Sequence, residues 1–490
     1  MKTKSVKKSK LKPKSKAKAS PAVKLSAFNL ASVKPNPSIF REYDIRGVAD
    51  RDLPSDVVYA IGKAFGTMLR HTNKKIVSIG HDCRVSSPRI EKALVEGITS
   101  TGIDVKRVGL VTTPALYFSI VNLKTDGGIM VTGSHNPPDQ NGLKICIGTS
   151  SMHGSEIQGL YKMVQLRTYI SGNGKVSNVK ILDAYIKEIV KNVKLDRKLS
   201  VIIDCANGMT GLVAPEVFKG IGCSVKEMYT TPDGRFPNHP ADPSVPKNLE
   251  ELISRVKKEK PDLGLAFDGD GDRVGVIDEK GESIFSDCLM ILLSRAVLAE
   301  KPGATILGDM KCTNLLFEDI KKHGGKPLMW KTGHSLIKAK MKEVGAELGG
   351  EMSGHIFFKH RWYGFDSGIY TAARLLEILS KTKKPLSALL ADIPKTFSTP
   401  EIRVECSDET KFDVVREATE NFKRQNLNVN DIDGARITFK DGWGLVRASN
   451  TQPVIVMRFE ADSAEALTRI RNLVEQKLND ILSRNNKSTE

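Results

Sequence analysis

From about residue 40 onward, short β-rich apolar runs alternate with stretches of helical periodicity. Over 56–70, Val57, Val58, Ile61, Phe65, Met68 and Leu69 share one helical face behind a Pro54-Ser55 start signal. A strand-like run at 76–79 follows and ends in the loop GHDCR. The same strand-then-loop design recurs at 128–132, 201–204, 263–267 and 305–307, with helices between them such as 287–300, opened by Ser286, and 336–344. Strands alternating with helices predict α/β layers with mostly parallel or mixed sheets, whose strand-to-loop ends are where ligands bind. Three comparable α/β units follow one another. The last hundred residues differ: strands at 401–406, 435–439, 443–448 and 454–460 precede a helix from Asp462-Ser463 that buries Leu467, Ile470, Val474, Leu478 and Ile481. That is an α+β module, joined through a proline-containing linker near 385–400.

Length and composition support several cores. A chain of 490 residues carries a prior of about three or four domains, and an apolar share of 40% with 27% charged residues is an ordinary globular balance. The longest purely apolar run, 288–293, is far too short to span a bilayer, and no signal-peptide core follows the N-terminal lysines. Seven scattered cysteines without paired metal spacing fit reduced thiols in a cytoplasmic protein. The net charge of +18 is unevenly placed: residues 1–39 hold eleven lysines and no acid, and subtracting them leaves +7 for the rest. The lysine-rich tail has almost nothing to bury and is expected to be a disordered, solvated extension. No membrane association or specific nucleic-acid partner is expected, although the tail leaves weak non-specific binding open.

Four loops carry candidate chemistry. In DGDGDR (268–273), strand alternation is expected to put Asp268, Asp270 and Asp272 on one side of an extended backbone, which the glycines let bend tightly. Three such carboxylates need a neutralising cation, and hard oxygen ligands favour Mg²⁺ over Ca²⁺. An EF-hand reading fails because Arg273 stands where that loop requires glycine, and the flanks are strand-like; an acidic surface turn is the plain alternative. In TGSHNP (132–137), Ser134 follows an apolar strand and is placed for exposure as a nucleophile, while Ser, Asn and Pro are also ordinary turn residues. Lys144 follows soon after in QNGLK. A serine oxygen and three carboxylates can complete one Mg²⁺ site. RASNT (447–451) offers a guanidinium, two hydroxyls and an amide, a set that can cradle a phosphate. GEMSGH (350–355) brings a carboxylate, a hydroxyl and an imidazole together, as sugar-hydroxyl recognition needs. Each of the last two is also compatible with a structural turn.

Taken together, in this order and spacing, the four loops resemble those of the α-D-phosphohexomutase superfamily, specifically its bifunctional phosphomannomutase/phosphoglucomutase branch. FREYDIRG (40–47) and WKTGHSLIK (330–338) resemble further family signatures, and the similarity runs from about residue 38 to 485. The resemblance implies three related α/β domains with mixed sheets and a C-terminal α+β domain around a central cleft. The implied spans are 38–179 with the phosphoserine loop, 180–282 with the metal loop, 283–395 with the sugar loop and 396–490 with the distal phosphate loop, after an extension over 1–37. It implies interconversion of hexose 1- and 6-phosphates, of mannose and/or glucose, through phosphorylated Ser134 and a reorienting hexose 1,6-bisphosphate, which also serves as activator.

By motif position, Arg46, Lys144 and Arg273 would surround the reacting phosphoryl group, with His355 close by and one Mg²⁺ held by Ser134, Asp268, Asp270 and Asp272. Lys144 and His355 are both candidates for the general acid/base. Tyr43, Lys311, Gly333 and His334 would line the cleft, and Glu351 and Ser353 would bind the sugar's 3- and 4-hydroxyls. Arg447, Ser449, Asn450 and Thr451 would grip the distal phosphate. Partners are then small sugar phosphates, with the chain a monomer or small homo-oligomer. The methionine in GEMSGH resembles the mannose/glucose enzymes more than glucosamine-phosphate mutases, which remain an alternative beside a metal-dependent sugar-phosphate phosphatase. Asp366-Ser367 departs from the Asp-Asp often seen in the family, with no catalytic consequence assigned.

Overall fold

The computed structural model describes residues 33–487, together with Phe28 and Leu30. Most of the lysine-rich extension, and the disorder expected of it, lies outside the described residues. Its described end packs: Phe28 stacks on Tyr59 with centroids 4.3 Å apart, and Val33 joins the first core. The segment therefore meets the body ahead of residue 38.

Four sheets follow in chain order. The first runs Ile45–Val48, Gln140–Ile147, Gly127–Val131, Ile76–His81, Asp104–Leu110, Val176–Asn178. The second runs Ser283–Ile284, Val274–Ile277, Leu263–Phe267, Ser200–Asp204, Ser224–Met228, and the third Lys326–Trp330, Thr305–Asp309, Leu348–Gly350, Ile356–Phe358. All three are mixed. In each, a buried parallel strand turns back into an antiparallel neighbour: Gly127–Val131 into Gln140–Ile147, Leu263–Phe267 into Val274–Ile277, and Leu348–Gly350 into Ile356–Phe358. The connections are TGSHNPPD, DGDGDR and EMSGH. The repetition among the units is thus topological, and it puts a functional loop at the same corner of each sheet.

The fourth sheet is antiparallel, and RASNT again ends one strand, Gly442–Ala448, before its partner Val454–Ala461. Two helices cover it, Lys411–Arg424 and Ala464–Lys487. The first of these was not expected from the pattern, although Val414, Val415, Ala418 and Phe422 are buried at helical spacing. Ser286 is the first residue of the helix Ser286–Glu300 but makes no side-chain cap; its neighbour Asp287 turns inward instead, to Arg458 at 2.9 Å. No helix among the described residues is long and apolar enough to cross a membrane.

The last unit docks on the third through buried charge. Arg458 donates to Asp287 and to the carbonyl of Lys311, and Arg436 donates to the carbonyls of Met310 and Cys312 and to Asn314. Both guanidiniums lie over Trp443, Arg436 at 3.6 Å from the ring centre. The Trp443 indole N–H and the Thr313 hydroxyl both donate to Glu460. A buried ion pair contributes little net stability, but losing one partner leaves the other unpaired at a cost of about 3–5 kcal/mol. Arg458→Leu is therefore expected to lower the thermal unfolding midpoint clearly, whereas Arg484→Leu, at an exposed pair with Glu417, should leave it nearly unchanged. Scanning calorimetry of both variants checks this.

Candidate active site

Asp268, Asp270 and Asp272 are fully buried, and their ligand oxygens all lie within 4.8 Å of one another. They converge through a tight turn, as the glycines led one to expect, and not by alternation along an extended strand, which corrects that part of the expectation. The turn needs its glycines: Gly271 has φ +82°, its N–H donates to the Asp268 carboxylate, and a Cβ on Gly269 would lie 2.5 Å from the Ser134 carbonyl. The metal loop and the serine loop can approach only because that side chain is missing.

Ser134 is buried and held with φ +50°, a conformation unfavourable for any residue but glycine. Its hydroxyl donates to Asp268 Oδ2 at 3.0 Å and lies 3.3 Å from His135 Nδ1. What holds the loop is Arg84, a residue the sequence reading passed over at the end of GHDCR. Its guanidinium donates to the carbonyls of Ser134, Asn136, Pro137 and Gln140 at 2.5–2.9 Å and pairs with Asp82. A loop whose carbonyls all turn toward one buried cation presents its side chains the other way, toward the carboxylates.

Lys144, two turns of pleat along the following strand, donates to both Asp270 (2.8 Å) and Asp272. Burial disfavours its charge, but the carboxylates outweigh burial and raise its pKa. Burial first, then Asp272 and Asp270, pushes Asp268 well above the ordinary carboxylate range, while Asp270 is held below it because Lys144, Thr113 and Ser134 outweigh its own burial. Asp270 Oδ1 and Asp272 Oδ1 remain buried without hydrogen-bond partners. Orphaned oxygens on clustered carboxylates fit a hard divalent cation.

The third unit closes the reaction centre. Arg273 Nε donates to His355 Nε2 at 2.9 Å, so the imidazole proton belongs on Nδ1, which lies 2.9 Å from Asp366 Oδ2. Asp366 also accepts from Lys338 at 3.1 Å. Asp366 was given no role from sequence, yet it faces the imidazole, while the departing residue Ser367 caps the helix Gly368–Ser380 and meets the Tyr185 hydroxyl.

The other expected residues make the following local contacts. Arg46 reaches Asn136 of the serine loop (3.3 Å) and pairs with Asp44. Tyr43 packs edge-on against His334, 5.1 Å between centroids, and directly over Gly333, whose φ is +138°. Burial and then the Glu351 carboxylate push the Tyr43 phenol up. Glu351 accepts from the Gly333 N–H and the Ser353 hydroxyl. Lys311 pairs with Glu401 (3.1 Å), which is lowered to about 2 chiefly by that ammonium. Arg447 pairs with Asp433, and Ser449 accepts from the backbone of Thr451 and Gln452. Asn450 lies beside them in the same loop.

Comparison with known proteins agrees with this architecture. Phosphoglucomutase/phosphomannomutase alpha/beta/alpha domains I, II and III match residues 37–167, 183–281 and 285–397, and the C-terminal domain matches 401–477. A Phosphomannomutase/phosphoglucomutase of Pseudomonas putida is 49% identical over 441 residues, 90% of this chain and 95% of that protein. A Phosphoglucomutase of Neisseria gonorrhoeae is 44% identical over 89% of this chain and 95% of its own length. The solved structure of a Phosphoglucomutase/phosphomannomutase family protein from Burkholderia thailandensis is 44% identical, with TM-score 0.85 over 91% of this chain and 98% of that one. Fold and site define an α-D-phosphohexomutase, and the chain belongs to the phosphoglucomutase/phosphomannomutase family.

If the triad is the cation site, Asp270→Asn should weaken divalent-metal binding by at least about tenfold, in line with loss of one charged hard-oxygen ligand. Calorimetric titration of the apo protein measures it; unchanged affinity would remove the assignment.

Proposed function

We propose that this hexose phosphate mutase interconverts the 1- and 6-phosphates of mannose and/or glucose, with Ser134 carrying the transferable phosphate. The observation that carries the reading is the Ser134 hydroxyl 3.0 Å from Asp268, with Lys144 and Arg273 paired to the same triad and Arg46, on the strand Ile45–Val48, donating to Asn136 of the serine loop. Phosphoryl transfer depends on placement and charge stabilisation more than on covalent chemistry supplied by the protein. These residues supply both.

In the forward step the P–O bond to Ser134 Oγ breaks as a free sugar hydroxyl forms a new bond to phosphorus. The hydroxyl proton passes to a base, which we assign to His355. Its Nε2 lone pair accepts from Arg273 Nε in this structure, so Arg273 must release it to the substrate hydroxyl, while Asp366 holds the opposite edge of the ring. Lys144 is already committed to two carboxylates and acts through its charge. A hexose 1,6-bisphosphate results; after it turns over, the other phosphate returns to Ser134 Oγ and the protonated base restores a hydroxyl. Mg²⁺ held by Ser134, Asp268, Asp270 and Asp272 would neutralise charge on the transferring phosphoryl group.

The substrate must bind in two orientations, so its strongest contact is assigned to the non-transferring phosphate. Arg447, Ser449, Asn450 and Thr451 form that grip in this reading, with Arg447 buried and paired with Asp433. Glu351 and Ser353, now bonded to each other, would exchange that bond for the 3- and 4-hydroxyls. Tyr43, Lys311, Gly333 and His334 line the space between.

Ser134→Ala is expected to cut isomerisation of mannose 1-phosphate and glucose 1-phosphate by at least about a thousandfold, as removal of a nucleophile does. Full activity in that variant would sink the mechanism. Steady release of inorganic phosphate by the native enzyme would favour a phosphatase, and a faster rate on glucosamine 1-phosphate would favour a phosphoglucosamine mutase. Arg447→Ala should raise KM about tenfold or more, the scale of one charged bidentate contact, while metal affinity stays unchanged; the reverse pattern would remove the distal-phosphate role. Chelation should abolish turnover, Mg²⁺ should restore it, and added hexose 1,6-bisphosphate should shorten any lag.

A further inference from the structure

Behind the reaction centre, between the first and third units, lies a cavity of about 640 Å³, within the size range of small-molecule sites. One wall is the end of the strand Gln140–Ile147 with residues 149–156; the other is the helix His334–Val344 with the segment 359–365. None of the residues assigned to the hexose phosphate cleft lines it. Its chemistry is divided. Tyr117, Phe365 and Tyr363 form a continuous aromatic side, with Phe365 5.7 Å from Tyr117 and parallel to Tyr363 at 5.9 Å. Tyr117 keeps a buried hydroxyl that has no hydrogen-bond partner.

The charges on the wall do not balance. Among the described residues no carboxylate pairs with Lys342 or Lys359; Lys342 reaches only the Ser150 hydroxyl, at 3.1 Å. Of the carboxylates present, Glu347 is already paired with Lys301, and Glu156 accepts from the His153 N–H. Thr149, Ser150 and Ser151 add hydroxyls between the aromatic side and the lysines.

We infer that this cavity binds a nucleoside phosphate: a planar ring against the aromatic side, ribose hydroxyls on the Thr149–Ser151 edge, and phosphate at Lys342 and Lys359. Aromatic faces accept any planar base, and free ammonium groups supply the phosphate contact. The site is separate from the hexose phosphate cleft and does not depend on the mechanism assigned there. It is nonetheless connected to it. Lys338 lines the cavity, and its ammonium lies 4.3 Å from the centre of the Tyr117 ring and donates to Asp366, which faces His355. A ligand touching both walls would also fix the first unit against the third.

Calorimetric titration of the full-length enzyme with AMP, adenosine and inorganic phosphate tests the inference. AMP should bind one per chain, more tightly than either fragment, and should still bind when glucose 6-phosphate saturates the cleft. The double variant K342E/K359E should weaken AMP by at least about tenfold, as expected from losing two charged contacts, with turnover in the absence of AMP unchanged. Absence of AMP binding, its displacement by glucose 6-phosphate, phosphate binding as tightly as AMP, or unaltered affinity in the double variant would each overturn it.

Discussion

Three carboxylates with their oxygens within 4.8 Å, all fully buried, are the constraint around which the rest of the molecule is arranged. At an effective dielectric of about 20, each ionised pair at that separation repels by roughly 3 kcal/mol or more, before any cost of burial. Such a cluster cannot stand alone. Lys144 from the first unit bridges two of the carboxylates, Arg273 lies 3.9 Å from the third, and Thr113 donates to Asp270. Arg273 belongs to the acidic turn itself, but Lys144 and Thr113 come from the first unit, so the turn of the second unit also binds those two units together. Three carboxylates against one lysine and one arginine leave the cluster short of positive charge, which a divalent cation would supply before further negative charge could be accommodated there.

The common corner of the four sheets explains how so many loops meet. In the first three units a parallel strand reverses into an antiparallel neighbour and exposes one short connection at the sheet's end, where the candidate loop lies; in the fourth, the candidate loop joins two antiparallel strands. Between the third and fourth units the meeting is enforced by Arg436 and Arg458, which grip the backbone on either side of Lys311. The placement of the C-terminal domain and the placement of Lys311 are therefore one structural variable.

Much of this was legible in the chain. The mixed α/β units, the terminal antiparallel sheet and the four loops stand in local pattern, because strand alternation and clustered glycine, serine and aspartate are short-range signals. The bend of the triad was legible in the glycines of DGDGDR, but strand alternation does not hold through it, because the positive φ of Gly271 makes the segment a turn. Arg84 was invisible as the anchor of the serine loop: its partners lie some fifty residues away, and no local spacing encodes them. Asp366 escaped for the same reason, being joined to His355 through the third sheet. The helix Lys411–Arg424 is a different case, for its buried face was present in the sequence but diluted by polar residues.

The central claim is that the strained serine beside the triad is the phosphate carrier. Peptide mass spectrometry of the enzyme after exposure to hexose 1,6-bisphosphate tests it directly. A single phosphate should appear on the peptide containing Ser134 and disappear when hexose 6-phosphate is added, with bisphosphate recovered in solution. A phosphate on any other residue, or an active enzyme that never carries one on Ser134, would contradict the account.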